Sequence, residues 1–312
     1  MSKPRILAIR GGALGDFLLT LPAFRLLRET FGHCHLEIVG YRHIADIALY
    51  AGPSEDQTYA DAVRNIEAAP LAGFFAKAGE LDPVWAQYFA GFQQVISWLF
   101  DPDGIFEANL RRAGVKNFLS AYTKISDENH ASVQLAEGLQ RMALFLEDGA
   151  AHLVPVQDMQ RLAAEWLAAH HVTDEQRLVA VHPGSGSAKK NWPVENWVAL
   201  ATRLAAGGER LLVIAGEADH ESLAVVEREL AGTPAIFARD VPLPMLGAIL
   251  RRAGRYFGHD TGISHLAAAV GVPATLLFGP TDPSVWAPRG ESVRVIVAPK
   301  GDLRDLAVPD VM

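Results

Sequence analysis

The second half of the sequence alternates short apolar segments with helical segments, and this alternation leaves few possible folds. The first apolar segment, LVAVHP from Leu178, is followed by a polar loop and a helical segment that begins at Pro193. The later connections are short, as crossovers between parallel strands require. We predict strands at 178–183, 210–216, 235–238, 255–258 and 274–278, and helices from 193 and at 219–231, 243–253 and 263–270. This half is therefore predicted to be an α/β domain of the doubly wound type.

The first half opens with a strand, a turn and a helix. The apolar strand RILAIR leads through the glycine-rich turn GGALGD into an apolar helix that ends near Thr30, and a second strand is expected at 36–40. Between residues 41 and 150 we predict a single strand, at 94–99, among aromatic-rich helical stretches such as 85–92. The opening βαβ pattern again indicates an α/β domain.

The length of 312 residues favours two domains, because a single hydrophobic core rarely grows beyond about 250–300 residues. The segment 150–176 contains Pro155 and then a helix rich in Ala and Leu, which is typical of entry into a new domain. We place the boundary after residue 155, which predicts domains at 1–155 and 156–312.

Composition excludes several classes of protein. The net charge of −8 weighs against a nucleic-acid-binding protein, whose phosphate contacts require a basic surface. Cys34 is the only cysteine, so neither an internal disulfide nor a cysteine-based zinc site is expected. The sequence has no apolar run of about 18 residues and no signal-peptide pattern at its start. We expect a cytoplasmic protein, with contact at the inner membrane surface left open.

The turn Gly11–Asp16 is the first candidate site. It follows the first strand and opens a helix, where open α/β sheets bind ligands, and its glycines allow close approach of a ligand. Asp16 then points into the site or, alternatively, caps the helix, since Asp is a preferred capping residue. The glycine spacing is not the dinucleotide fingerprint G-x-G-x-x-G, and Gly40 and Tyr41 stand where that motif needs an acidic residue.

The loop GSGSAKKNW, residues 184–192, is the second candidate. Its small residues expose backbone N–H groups, and Lys189 and Lys190 add positive charge, which suits a pyrophosphate. The loop lacks the G-K-[ST] ending of a Walker A motif, so it favours phosphate binding without phosphoryl transfer. We expect Lys189 to be solvated.

The segment HDTGISH, residues 259–265, is the third candidate. It follows a strand and enters a helix, whose first N–H groups and dipole favour an anion such as a diphosphate. The alternative is that Asp260 or Thr261 only caps the helix and His265 packs in its first turn.

These three segments resemble glycosyltransferase family 9, the ADP-heptose:lipopolysaccharide heptosyltransferases. The similar stretches are the G-x-L-G-D turn with LTLPAFRLLRETFG, HPGSGSAKKNWPVENW, and DTGISHLAAA with GVPATLLFGPTDPSVW. The resemblance implies a GT-B fold: two Rossmann-like doubly wound domains that face a central cleft. It also implies that the first domain binds the acceptor and the second binds the nucleotide sugar.

Residue roles follow from the same resemblance. Asp16 is the implied general base toward the acceptor hydroxyl, and Lys190 the residue that stabilises the leaving diphosphate. The implied donor-binding residues are Ser185, Ser187, Glu217, Asp260, Thr261, Gly262 and His265. The implied reaction is inverting, metal-independent transfer of heptose from ADP-heptose to a lipopolysaccharide-core-type or related glycan or glycolipid, with no cofactor. An anionic acceptor calls for cations in the first domain, and Arg42, His43, Arg64, Arg111, Arg112 and Lys116 are available.

Three alternatives stay open. A nucleotide-sugar epimerase of the same fold shares the diphosphate site but acts on the donor alone. A non-catalytic nucleotide-sugar-binding protein needs Asp16 only as a cap. A Rossmann-type oxidoreductase is disfavoured by the glycine spacing and by the position of the best phosphate loops in the second half.

Overall fold

The computed structural model describes residues 3–173, 175–216 and 220–312. The chain divides into two compact units. The first unit runs to Ser126 and includes Ala131–Gly149, and the second comprises Asp127–His130 and Ala150–Met312. The chain thus enters the second unit somewhat before residue 155. No helix among the described residues is both long and apolar enough to cross a bilayer.

The first unit is built on a five-stranded parallel sheet. The strands of this unit, in chain order, are β1 (Arg5–Arg10), β2 (His35–Gly40), β3 (Ala51–Gly52), β4 (Ala62–Asn65), β5 (Gln94–Ser97) and β6 (Phe118–Ser120), and all except β3 belong to this sheet. The order across the sheet is β4-β2-β1-β5-β6. Residues 6–9 of β1 are all buried, as expected for a central parallel strand that is covered on both faces.

The helices of the first unit are α1 (Leu14–Thr30), α2 (Arg42–Ala45), α3 (Ile47–Tyr50), α4 (Pro83–Ala90), α5 (Ile105–Arg112) and α6 (Ala131–Glu137), with 3₁₀ turns at Ala69–Phe75 and Gly138–Met142. Helix α6 packs against α1, which is why residues 131–149 belong to this unit. Helix α1 begins within the glycine-rich turn and ends where predicted.

The expectation of one strand between residues 41 and 150 is wrong. Strand β4 pairs with β2 and strand β6 pairs with β5, and both are edge strands of the sheet. Their residues are mostly half-exposed or exposed, so neither has the apolar run that identifies a central strand.

The second unit contains a six-stranded parallel sheet. After β7 (Val154–Pro155), its strands are β8 (Leu178–His182), β9 (Arg210–Ala215), β10 (Ala235–Arg239), β11 (Arg255–His259), β12 (Ala274–Phe278) and β13 (Val293–Val297). The order is β10-β9-β8-β11-β12-β13. The alternation predicted here is confirmed from β8 to β12, while the partly exposed edge strand β13 was not expected.

The helices of the second unit are α7 (Gln157–Ala169), α8 (Val194–Ala206), α9 (His220–Glu229), α10 (Leu243–Leu250), α11 (Gly262–Ala269), α12 (Pro283–Trp286) and α13 (Val308–Val311), with 3₁₀ turns at Ala188–Lys190, Pro299–Gly301 and Leu303–Asp305. Neighbouring strands β8 and β11 are parallel, so the loops that follow them leave the same edge of the sheet. These loops carry the second and third candidate segments.

Candidate functional site

The amino terminus of α11 lies directly after β11. Thr261 is the N-cap residue, with an extended backbone, and its Oγ1 accepts a hydrogen bond from the Ser264 N–H at 3.3 Å. Gly262 is the first residue of the helix. Thr261 therefore does cap the helix, and the backbone N–H groups of the first turn still have no carbonyl partner within it. This helix start offers hydrogen-bond donors and positive potential to an anion.

A lysine and a carboxylate meet beside this helix start. Lys190 ends the 3₁₀ turn after β8, and its Nζ donates to Asp260 Oδ2 at 2.6 Å. Thr281 Oγ1 donates to the same oxygen at 2.8 Å. The Lys190 side chain is 30% exposed and that of Asp260 10%, whereas Lys189 is exposed. The structure thus brings two predicted residues into contact and adds Thr281 as a third.

Two buried residues hold the lysine-bearing loop against β11. The Trp192 N–H donates to His259 Nε2 at 2.8 Å, so the other ring nitrogen, Nδ1, carries the proton and donates to the Gly184 carbonyl at 3.3 Å. The Trp192 indole N–H donates to the Leu306 carbonyl at 2.8 Å. These bonds fix both ends of the loop and with them the position of Lys190.

The two serines of this loop differ in their surroundings. Ser185 is buried, and its Oγ lies 2.8 Å from the Ser187 carbonyl and 2.6 Å from Asn191 Oδ1, so it can donate to one of them. The Ser187 N–H donates back to Ser185 Oγ at 3.3 Å. The Ser185 hydroxyl is thus used within the loop, and Ser187 is half-exposed.

His265 and Glu217 complete the predicted donor set. His265 lies in the first turn of α11 and is buried. This burial agrees with the alternative that His265 packs within the first turn of the helix. Its contact with the nucleotide-sugar donor stays a prediction. Glu217 lies outside the described residues.

In the first unit, Asp16 lies in the first turn of α1. Its Oδ2 accepts the Ala13 N–H at 3.1 Å, so the carboxylate does stabilise the helix start. The Asp16 side chain is nevertheless 44% exposed, and Arg10 Nη2 lies 3.9 Å from its Oδ1. Burial lowers the pKa of Arg10, and the nearby carboxylate opposes that shift. Asp16 therefore combines capping with an accessible carboxylate.

Gly12 permits this arrangement. Its φ is +92°, and an added Cβ would lie 2.9 Å from Asp16 Oδ2. A side chain at this position would meet both backbone strain and the carboxylate. The glycine is thus required by the turn and by the position of Asp16.

A pocket of about 470 Å³ opens beside this turn, within the first unit. Its lining residues are Arg10, Gly11, Gly12, Tyr41, Ile66, Glu67, Phe75, Trp98, Leu99, Phe100 and Tyr122. None of the six basic residues suggested for an anionic acceptor is among them. Four of the six lie against other groups: Arg42 on Asp46, Arg64 on the Tyr88 ring, Arg111 on Glu107 and Arg112 on Asn109.

Sequence reasoning missed several contributors to these sites. Thr281 lies in the stretch GVPATLLFGPTDPSVW, which resembles the family. Its position in the loop after strand β12 could have identified it as a candidate site residue. Trp192 and His259 lie in the second and third candidate segments, but nothing in the sequence indicated their roles as loop anchors. In the described part of the chain, no group of three or more His, Cys, Asp and Glu side chains is arranged to hold a metal ion.

Comparisons with known proteins agree with this architecture. The family model for glycosyltransferase family 9 (heptosyltransferase) matches residues 131–312, more than half of the chain. Lipopolysaccharide heptosyltransferase 3 of Escherichia coli is 25% identical over 328 residues, covering 95% of this chain and 89% of the relative. Lipopolysaccharide heptosyltransferase 1 of E. coli K12 is 35% identical over 120 residues, covering 38% of this chain and 36% of the relative.

Solved structures share the fold. A family 9 glycosyl transferase from Veillonella parvula has a TM-score of 0.78 at 20% identity, over 95% of this chain and 86% of that one. The E. coli heptosyltransferase WaaC with ADP has a TM-score of 0.72 at 19% identity, over 98% and 97%. These likenesses confirm the predicted α/β fold of GT-B type with two Rossmann-like units. The chain belongs to glycosyltransferase family 9, the heptosyltransferase family.

Proposed function

We propose that the chain transfers a heptose from ADP-heptose to a hydroxyl of a glycan or glycolipid acceptor, with inversion at the anomeric carbon and without a metal ion or other cofactor. The observation that carries the proposal is the position of the Lys190 ammonium beside the start of α11 in the second unit. A leaving nucleoside diphosphate needs its negative charge stabilised, and a lysine together with a helix start does this.

The names and bound ligands of similar proteins support ADP-heptose as the donor. The similar curated proteins are named lipopolysaccharide heptosyltransferases 1, 2 and 3. E. coli WaaC, which has the same fold, has been solved with ADP and with ADP-2-deoxy-2-fluoro heptose. In the proposed complex, Lys190 exchanges Asp260 for the donor phosphates, and Asp260 lies against the donor sugar. Ser187, Thr261 and Gly262 supply further donors to the phosphates, and His265 lies close by.

The proposed reaction needs one base. The acceptor hydroxyl oxygen forms the new bond to the anomeric carbon, and its proton passes to the Asp16 carboxylate. The bond from that carbon to the diphosphate oxygen breaks, and its electron pair leaves on ADP. Lys190 and the N–H groups of α11 stabilise the charge that develops there. Attack opposite the leaving group inverts the carbon, so a second carboxylate is unnecessary.

The test is product analysis with ADP-heptose and a panel of lipopolysaccharide-core saccharides, charged and uncharged. We expect one ADP released per glycoside formed, an anomeric configuration opposite to that of the donor by NMR, and the same rate in EDTA. Retained configuration or loss of activity in EDTA would contradict the corresponding part of the proposal. Failure of every acceptor would contradict transfer itself.

The same assay distinguishes transfer from the two alternative functions. Incubation with ADP-heptose alone would yield a donor epimer if the chain were a nucleotide-sugar epimerase. Binding of the donor without turnover by any acceptor would indicate a nucleotide-sugar-binding protein.

A further inference from the structure

The pocket beside the Gly11–Gly12 turn is lined by exposed aromatic rings. Phe100 is 68% exposed, Phe75 45% and Tyr122 41%, although aromatic side chains usually contribute to the core. Tyr41 also lines the pocket, and its Cε2 lies 3.8 Å from where a Cβ on Gly11 would be. Several aromatic rings of this unit are therefore exposed at one place, and ligand pockets are typically lined by such side chains.

The rings form a supported surface. Phe100 and Tyr122 have ring centroids 5.1 Å apart. Phe75 stacks on the buried Phe106 at 4.7 Å with an interplanar angle of 9°. The Phe75 ring, which is held against a buried ring, loses little conformational freedom when a flat apolar surface packs on it.

The charges in the pocket do not suit an anion. Among its described lining residues, Arg10 is the only cation and Glu67 is an anion. Arg10 Nε donates to Thr20 Oγ1 at 3.0 Å and its Nη2 donates to the Asp16 carbonyl at 3.1 Å, so part of the guanidinium is used within the unit, and the side chain is only 11% exposed. The Asp16 carboxylate, next to Gly12, adds further negative charge. A phosphate or carboxylate would find little stabilisation here.

We propose that this aromatic pocket binds an uncharged sugar residue of the acceptor. The apolar C–H face of the sugar ring packs against Phe100 and Tyr122, and a hydroxyl points toward Asp16. The inference rests on the proposed transfer reaction and narrows its acceptor class, because it replaces an anionic core sugar with a neutral one at the position next to the base. The faces of aromatic rings pack against the C–H groups of such sugars, and few polar groups are needed to orient the sugar.

The test measures sugar binding without the donor. Saturation-transfer NMR measures the binding of methyl glycosides of neutral hexoses and heptoses to the protein. The same measurement is made for two anionic ligands, 3-deoxy-octulosonic acid and a hexose 1-phosphate. We expect neutral glycosides to bind and the two anions to bind at least about fivefold more weakly. Phe100→Ala and Tyr122→Ala should weaken neutral binding about five- to tenfold.

Phe145→Ala is the matched control, because Phe145 is also exposed and in the same unit but does not line this pocket. It should leave binding unchanged, and all three variants should keep the wild-type melting temperature. Tighter binding of the anions, or neutral binding that survives Phe100→Ala, would overturn the inference. A wild-type dimer that Phe100→Ala dissociates would assign the rings to a second copy and overturn it too.

The two proposals fail in different ways. Transfer to charged saccharides alone would overturn the neutral-sugar inference and leave the proposed reaction standing. Neutral glycoside binding without transfer of heptose to any acceptor would leave the pocket assignment standing and overturn the reaction.

Discussion

The two units hold their functional groups in different ways. In the second unit, Lys190, Asp260 and Thr281 are joined by side-chain hydrogen bonds, and the Asp260 side chain is 10% exposed. In the first unit, the Asp16 side chain is 44% exposed, accepts the local Ala13 N–H and lies 3.9 Å from Arg10, next to a pocket of uncovered rings.

The difference follows from what each kind of group requires. Charged groups that are partly buried need partners, since an unpaired buried charge costs several kcal/mol, about 3–5 in measured cases. Aromatic rings at a surface need no hydrogen-bond partner, although each exposed ring gives up the roughly 2 kcal/mol that burial would contribute. The second unit therefore carries a preformed polar network, while the first offers contact surface and one accessible carboxylate. Variants that affect chemistry without stability should be found mainly in the first unit.

The largest effect is expected for Asp16→Asn. Loss of the proposed general base should lower kcat by about a thousandfold, within the usual range of 10²–10⁴ for such groups. The melting temperature should change little, because the side-chain oxygen of Asn can still accept the Ala13 N–H in the first turn of the helix. Both values come from steady-state transfer assays and thermal unfolding of the same preparation.

Asp82→Asn is the control for Asp16→Asn. Asp82 Oδ1 accepts the Trp85 N–H at 2.9 Å at the start of α4, so it caps a helix of the same unit without lining the pocket. Its substitution should change neither rate nor stability. A wild-type transfer rate in Asp16→Asn would reduce Asp16 to a capping residue and support a non-catalytic chain.

Lys190→Ala should have the next largest effect. Removal of the ammonium should lower kcat about a hundredfold, as for other groups that stabilise developing charge. It also removes the cation beside the Asp260 carboxylate and leaves the hydrogen bond from Thr281, so a stability loss of about 1–2 kcal/mol is expected. Lys189→Ala removes an exposed lysine from the same turn and should leave both quantities unchanged. Equal effects of the two substitutions would mean that only the overall charge of the loop matters.

The same contrast explains what could be predicted from sequence. Lys190, Asp260 and Thr261 could be predicted as candidate site residues because they lie in short motifs that follow strands β8 and β11. The aromatic pocket was not predicted, because Tyr41, Phe75, Phe100 and Tyr122 come from four separate connections that meet only through the sheet order. Each ring follows a different parallel strand, so the strand order was needed first. That order could not be derived while the edge strands β4 and β6 were missed.

Gly12→Ala should have a moderate effect on both stability and rate. A positive φ costs an alanine about 1–2 kcal/mol, and its Cβ would displace the Asp16 carboxylate, so we also expect transfer about tenfold slower. Gly104→Ala is the control: its φ is +64°, and nothing lies within 4 Å of an added Cβ. It should share the stability loss and keep the rate. If both variants lost stability and neither lost activity, the position of Asp16 would not depend on this turn.

The smallest effect is expected for Thr281→Val, which probes how much the polar network of the second unit contributes before a ligand binds. The substitution removes one hydrogen bond to Asp260 and keeps the lysine, so KM for the donor should rise only about three- to fivefold with little change in kcat. Thr275→Val on strand β12 removes a hydroxyl from the same unit away from Asp260 and should leave KM unchanged. A fall in kcat without a change in KM would mean that Thr281 acts on the transition state, and the network would then be part of the chemistry as well as of donor binding.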